Sequence, residues 1–167
     1  FLLVHRWYQH GKRYDRLLCI PRDGSDLQIL ADNSMVSHVA WINSTVVAGY
    51  FRNTKGKDGY FKIDTYSKKE EELFPNIKWP YGDGHPSFFG HHLITDCYPD
   101  RSRLKSLVHV DLKYNTTQVL GMFFESLSYY GETRCDLHPR FSPSGAYVYF
   151  DSVHTGRRRL YRMAASQ

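Results

Sequence analysis

Arg134-Cys135-Asp136-Leu137-His138-Pro139-Arg140-Phe141-Ser142-Pro143-Ser144-Gly145, continuing as Ala146-Tyr147-Val148-Tyr149-Phe150-Asp151, decides the fold. It reads as a loop, a short inner strand, a turn at Ser142–Gly145 and a second strand with regular alternation of side chains. The pattern occurs twice more upstream. His85-Pro86-Ser87-Phe88 leads into Leu93-Ile94-Thr95-Asp96, and His38-Val39-Ala40-Trp41 leads into Thr45–Tyr50. Each time a histidine sits three residues before a large aromatic, just ahead of a strand.

The remaining segments fill in around this repeat. Phe1–Trp7 and Arg16–Ile20 read as strands joined by a polar hairpin, and an Asp23-Gly24 turn leads to a short strand at Leu27–Leu30. The next unit has strands at His38–Trp41, Thr45–Phe51 and Gly59–Asp64. The charged run Ser67–Glu72 closes it, as a solvated edge strand or a single helical turn. The third unit has strands at His85–Phe88, Leu93–Asp96, Leu107–Leu112 and Gln118–Leu120. The last ends on Leu160–Met163. No stretch keeps a helical period. The chain is therefore expected to be all-β.

The histidines recur about every 45–50 residues, and four short strands in a repeat of that size make a β-propeller blade. The expectation is a single partial propeller domain over 1–167, about three and a half four-stranded blades. It comprises a blade remnant at 1–33 and blades at 35–75, 82–125 and 134–167. The chain starts Phe1-Leu2-Leu3-Val4, without an initiator Met. It is expected to be a fragment with further blades upstream, which leaves a cytoplasmic or periplasmic location open.

A length of 167 residues allows a sizeable core, and 41% hydrophobic with 16% aromatic content describes a folded chain. A net charge of +5 fits an anionic partner without requiring one. Arg157-Arg158-Arg159 reads as a solvated hairpin loop rather than a nucleic-acid patch. No run reaches the ~20 apolar residues of a membrane helix. Cys19, Cys97 and Cys135 have neither disulfide-framework nor zinc-knuckle spacing. The sequence holds no phosphate-binding glycine loop, no Gly-x-Ser-x-Gly elbow and no His-Glu-x-x-His.

Residues at one phase of successive blades converge on the propeller axis, so His38, His85 and His138 are expected at one mouth of the ring. Two readings of them stand side by side. Their imidazoles hold a transition metal, or each hydrogen-bonds a neighbouring blade's backbone and maintains the repeat. Asp96 and Asp151 follow the second strand of their blades, and Arg134 and Arg140 flank His138. Guanidinium forks suit the carboxylates of an acidic sugar. The aspartates also suit turn capping. Tyr130, in Tyr129-Tyr130-Gly131, is the candidate sugar-stacking residue.

Phe141-Ser142-Pro143-Ser144-Gly145 with Val148–Ser152 resembles the FSPDG-type repeat of TolB-like propellers, with Ser144 where Asp is usual. Leu160–Met163 matches the strand that follows in such repeats. A narrower resemblance is to oligogalacturonate lyases, propellers of this class whose metal motif is Gln-x-x-His-Pro-His. Here the run is Cys135-Asp136-Leu137-His138-Pro139-Arg140, matching at His138 and Pro139. The resemblance implies a divalent metal, manganese or similar, held by His85 and His138, with His38 either a third ligand or the base that takes a proton in β-elimination. It further implies an acidic oligosaccharide as substrate. The alternative is a non-catalytic TolB-like module that binds a protein or a glycan.

Overall fold

The structure, a computed structural model, describes residues 1–165, which form fourteen strands in four antiparallel sheets and no α-helix. The first sheet holds β1 (Leu2–Gln9), β2 (Lys12–Cys19) and β3 (Gln28–Ala31). The second holds β4 (Val36–Trp41), β5 (Val46–Arg52), β6 (Asp58–Asp64) and β7 (Glu70–Glu72). The third holds β8 (Ser87–Phe89), β9 (His92–Asp96), β10 (Leu104–Asp111) and β11 (Thr116–Phe124). The fourth holds β12 (Arg140–Phe141), β13 (Tyr147–Ser152) and β14 (Arg159–Ala164). Within each sheet the strands follow chain order, the meander of a propeller blade. The charged run at 67–72 is an edge strand: β7 pairs with β6 through Glu70–Glu72, and its glutamates meet Lys57, Lys62 and Lys69.

The chain divides into two compact units, Phe1–Pro75 and Asn76–Gln167. In the first, Leu17, Val36, Val47, Phe51 and Ile63 form the core, drawn from the alternating inward positions of β2, β4, β5 and β6. The β4–β5 register slips between Val36 and Val39, so His38 sits on a β-bulge, a feature that redirects side chains.

In the second unit, Ile94 and Leu107 of the third sheet meet Val148 and Phe150 of the fourth, and Leu137 from the loop before β12 is buried with them. Alternation explains the choice: on β13, Val148, Phe150 and Ser152 are buried while Tyr147 is exposed. Each large apolar side chain so buried contributes about 1.5–3 kcal/mol. The loops entering β8 and β12 carry His85 and His138, each two residues before its strand. The loops and the buried end of β9 build the site.

Candidate functional site

Asp96 ends β9, opposite Leu107 on β10, with its side chain buried. A carboxylate there must find donors, and two incoming loops supply them. The backbone N–H of His85 donates to Asp96 Oδ1 at 2.7 Å, and that of His138 donates to Oδ2 at 3.0 Å. His85 Nδ1 also donates to the carboxylate, at 2.9 and 3.1 Å from its two oxygens. That bond places the proton on Nδ1, the arrangement by which a carboxylate orients a metal-binding imidazole.

Two backbone features make this approach feasible. A Cβ on Gly84 would lie 1.9 Å from the carbonyl oxygen of Asp96, so only glycine lets the loop come this close. His138 has φ of 43°, a left-handed conformation uncommon outside glycine. Strain of this kind concentrates at functional sites. Here it accompanies the turn of the loop that delivers the His138 N–H to Asp96.

The two imidazoles face each other with ring centroids 4.0 Å apart. One ligand atom from each of His85, His138 and Asp136 lies within 4.8 Å of the others. Arg134 donates from Nε and Nη2 to Asp136 Oδ2, at 3.0 and 2.7 Å. Asp136 Oδ1 is buried and accepts no hydrogen bond. A buried carboxylate oxygen without a donor is costly unless a cation meets it. Two imidazole nitrogens and an Asp136 carboxylate oxygen make a donor set suited to a divalent transition metal. The residues fit the group.

The electrostatics agree with this arrangement. Burial pushes the Asp96 carboxyl up, but hydrogen bonds and charge from His85, with the backbone N–H of His138, outweigh it and hold Asp96 below its ordinary value. Burial, and then the neighbouring His85, hold the His138 imidazole below its ordinary value, which favours the neutral, metal-ligating form. Arg134 is raised, chiefly by its hydrogen bonds to Asp136.

Three other residues singled out in the sequence belong to the second unit. Asp151 is half-buried on β13, and its N–H donates to Leu137 O at 2.8 Å. Arg140 is exposed on β12, and Tyr130 is exposed beside a single 3₁₀ turn at Gly131–Thr133. His38 belongs to the first unit, where its Nδ1 lies 3.1 Å from Ser37 Oγ. Cys135, the position aligned with a glutamine ligand, is fully buried, and Arg158 Nε donates to its Sγ at 3.3 Å. Asp136, the next residue, turns its carboxylate toward the histidines instead.

Sequence reasoning missed two parts of the site. Tyr98 carries the Arg134 guanidinium 4.8 Å over its ring and lies 6.4 Å from the His85 ring. Beneath the loop, buried Lys105 on β10 donates to Glu125 Oε1 at 2.8 Å and also to the carbonyl of Cys135. Glu125 Oε1 accepts the Cys135 N–H at 2.9 Å, and Glu125 Oε2 accepts from Arg103 at 2.9 Å. This ion pair grips the backbone just ahead of Asp136. A charged residue inside each of two apolar runs, Leu104-Lys105-Ser106-Leu107 and Met122-Phe123-Phe124-Glu125, was the available signal.

Strand order and the meander of each sheet agree with what comparison with solved structures finds. TolB from Acinetobacter baumannii matches with a TM-score of 0.68 at 15% identity, over 92% of this chain and 36% of that one. An oligogalacturonate lyase in complex with manganese matches with a TM-score of 0.65 at 18% identity, over 90% of this chain and 41% of that one. The fold is a TolB-like β-propeller. An oligogalacturonate lyase from Vibrio parahaemolyticus is similar at a TM-score of 0.63 and 19% identity, over 91% of this chain and 42% of that one. The chain thus spans well under half the length of each of these propellers. No family model matches the sequence, and no curated protein sequence matches it.

Proposed function

We propose that the His85–Asp136–His138 cluster holds a divalent cation, manganese or similar, through which this TolB-like propeller binds acidic, uronate-containing oligosaccharide. The observation that carries the reading is the Asp136 carboxylate, which stands with two imidazoles and has a buried Oδ1 that accepts no hydrogen bond. When bound, the cation supplies a Lewis acid that neutralises a sugar carboxylate and acidifies the C–H next to it. The chain's own residues do the rest. Asp96 orients His85 and anchors the His138 backbone, and Arg134 holds Asp136 Oδ2. Exposed Arg140 supplies a guanidinium for a further carboxylate, Tyr130 a ring for stacking, and Asp151 an acceptor for sugar hydroxyls.

Elimination would proceed from this bound state: the proton beside the carboxylate passes to a base, a C=C bond forms between the two carbons, and the C–O bond at the adjacent carbon breaks, its electron pair leaving on the oxygen, which takes a proton from solvent to become the free hydroxyl of the released sugar. His38 is the base offered by the resemblance to oligogalacturonate lyases. Its neutral imidazole has the chemistry for the task.

The test is elemental analysis and calorimetric titration of the full chain with Mn²⁺, followed by titration of oligogalacturonate with and without the metal. The expected result is one equivalent of Mn²⁺ at this cluster, and at least about tenfold weaker binding in Asp136→Asn and in His138→Ala, in line with losses seen on disturbing metal shells. Absence of saturable metal binding overturns the reading. It would favour the second one, a metal-free module for a protein or glycan. Exposed Arg140 and buried Cys135, standing where the lyase motif has ligands, support that alternative.

A further inference from the structure

We propose that His91, His92, His109 and Asp111 form a second transition-metal site, at the opposite end of β9 from Asp96. The register creates it. His92 opens β9 directly across from Asp111, the last residue of β10, and His109 lies two residues earlier on the same face of β10. His91 joins them from the β8–β9 turn. β9 is five residues long, so its two ends, and the sites at them, lie roughly 13 Å apart along the strand.

The geometry is that of a ligand set. One ligand atom from each of His91, His92 and Asp111 lies within 4.8 Å of the others. Asp111 Oδ2 is 3.6 Å from His91 Nε2 and 3.8 Å from His92 Nδ1. Its Oδ1 is engaged elsewhere, accepting the N–H groups of Lys113 and Tyr114 at 2.9 and 3.0 Å, which fixes the carboxylate with Oδ2 toward the imidazoles. His109 Nε2 lies 3.0 Å from His92 Nδ1. Two nitrogens each about 2.0–2.1 Å from one ion are separated by about 3.0–3.4 Å, so this pair is spaced as neighbouring ligands are. Without metal the same two nitrogens share one proton. A cation takes its place.

Two imidazoles and one carboxylate, with the His109 imidazole beside His92, select zinc, nickel, copper or cobalt over magnesium or calcium, which prefer all-oxygen shells. A cavity of about 440 Å³ opens beside the cluster, lined by Phe89, His91, His92, Asp111, Tyr114 and Phe141 among others. That gives a bound ion access from solvent and space for a further small ligand.

The experiment separates this site from the first by removing the first. An untagged full chain carrying Asp136→Asn and His138→Ala is titrated with Zn²⁺ and with Co²⁺. The expected result is one equivalent of Zn²⁺, with a visible Co²⁺ absorption band of tetrahedral intensity. Adding His92→Ala or Asp111→Asn should abolish the band and weaken Zn²⁺ at least about tenfold. Should either variant fail to fold, His91→Gln at the half-exposed turn is the substitute. It leaves circular dichroism unchanged and lowers Zn²⁺ affinity by a similar factor. Absence of saturable Zn²⁺ binding in the Asp136→Asn/His138→Ala chain overturns the proposal. So does an affinity indifferent to replacing His91, His92 and Asp111.

Discussion

At the scale of single residues, Asp96 is the pivot of the first site, because one buried carboxylate receives both histidine-bearing loops. Asp96→Asn keeps the shape but turns charge-assisted hydrogen bonds into neutral ones, with an amide N–H set against donors. Each charge-assisted bond contributes about 1.5–3 kcal/mol, so urea unfolding should report a loss of that order or more. Gly84→Ala should destabilise by a similar amount, since its Cβ has no room beside the Asp96 carbonyl. The same residues set an acid response. His138 is held below its ordinary value of 6.5, so between that value and its lower folded value the unfolded chain binds a proton that the folded chain does not. Stability is then fully present above about pH 6.5 and falls as the pH drops through the folded value. Asp96, held below 3.8, adds a further loss under strongly acid conditions. Melting temperature measured from pH 8 to pH 4 should decline on the acid side, and His138→Gln should remove the first part of that decline. A flat profile in the unaltered chain would count against the packing described for His138.

At the scale of elements, β10 and the end of β11 support the loop that presents Asp136. Lys105 and Glu125 are both fully buried and hold the Cys135 backbone from two sides. Removing one partner strands the other charge, so Lys105→Met should cost about 3–5 kcal/mol and also weaken metal binding, whereas Lys105→Met with Glu125→Leu should recover much of the stability. Chevron or equilibrium unfolding of these two variants and of Glu125→Leu alone measures the coupling. This element also shows what sequence can and cannot reveal. The alternation in Tyr147–Ser152 and Leu160–Met163 fixes which side chains face the core, because a strand has a period of two, and β13 and β14 follow it. Phe150→Ala should accordingly cost about 3–5 kcal/mol. The repeat spacing likewise located His85 and His138 at matching positions. Nothing local in the sequence says that Asp136 brings its carboxylate to the histidines while Cys135 is buried. The Lys105–Glu125 pair lies 20 residues apart across a hairpin, a contact that the periodicity of either strand does not encode. The His91–His92–His109–Asp111 group depends on the β9–β10 register, which is set by the loop between Asp96 and Leu104.

At the scale of the whole molecule, metal binding must appear as stability, because a ligand that binds only the folded chain shifts the folding equilibrium by mass action. At a free-metal concentration one hundred times the dissociation constant, the gain is about 2.7 kcal/mol. For a chain of this length each kcal/mol moves the melting temperature by roughly 2–4 °C, so Mn²⁺ at that level should raise it by roughly 5–11 °C, and a chelator should reverse the shift. The two proposed sites make the test selective. Asp136→Asn should remove most of the response to Mn²⁺, which favours carboxylate oxygen, while leaving the Zn²⁺ response carried by the cluster at His91, His92 and Asp111. His92→Ala should lower the response to Zn²⁺ and leave that to Mn²⁺. A shared loss of both responses in either variant would mean that the ions act through general folding and not through two separate donor sets. A response to neither ion in the unaltered chain would leave the buried Asp136 Oδ1 as an uncompensated cost, and the propeller would then have to recover that energy from the packing of Leu137, Val148 and Phe150 around it.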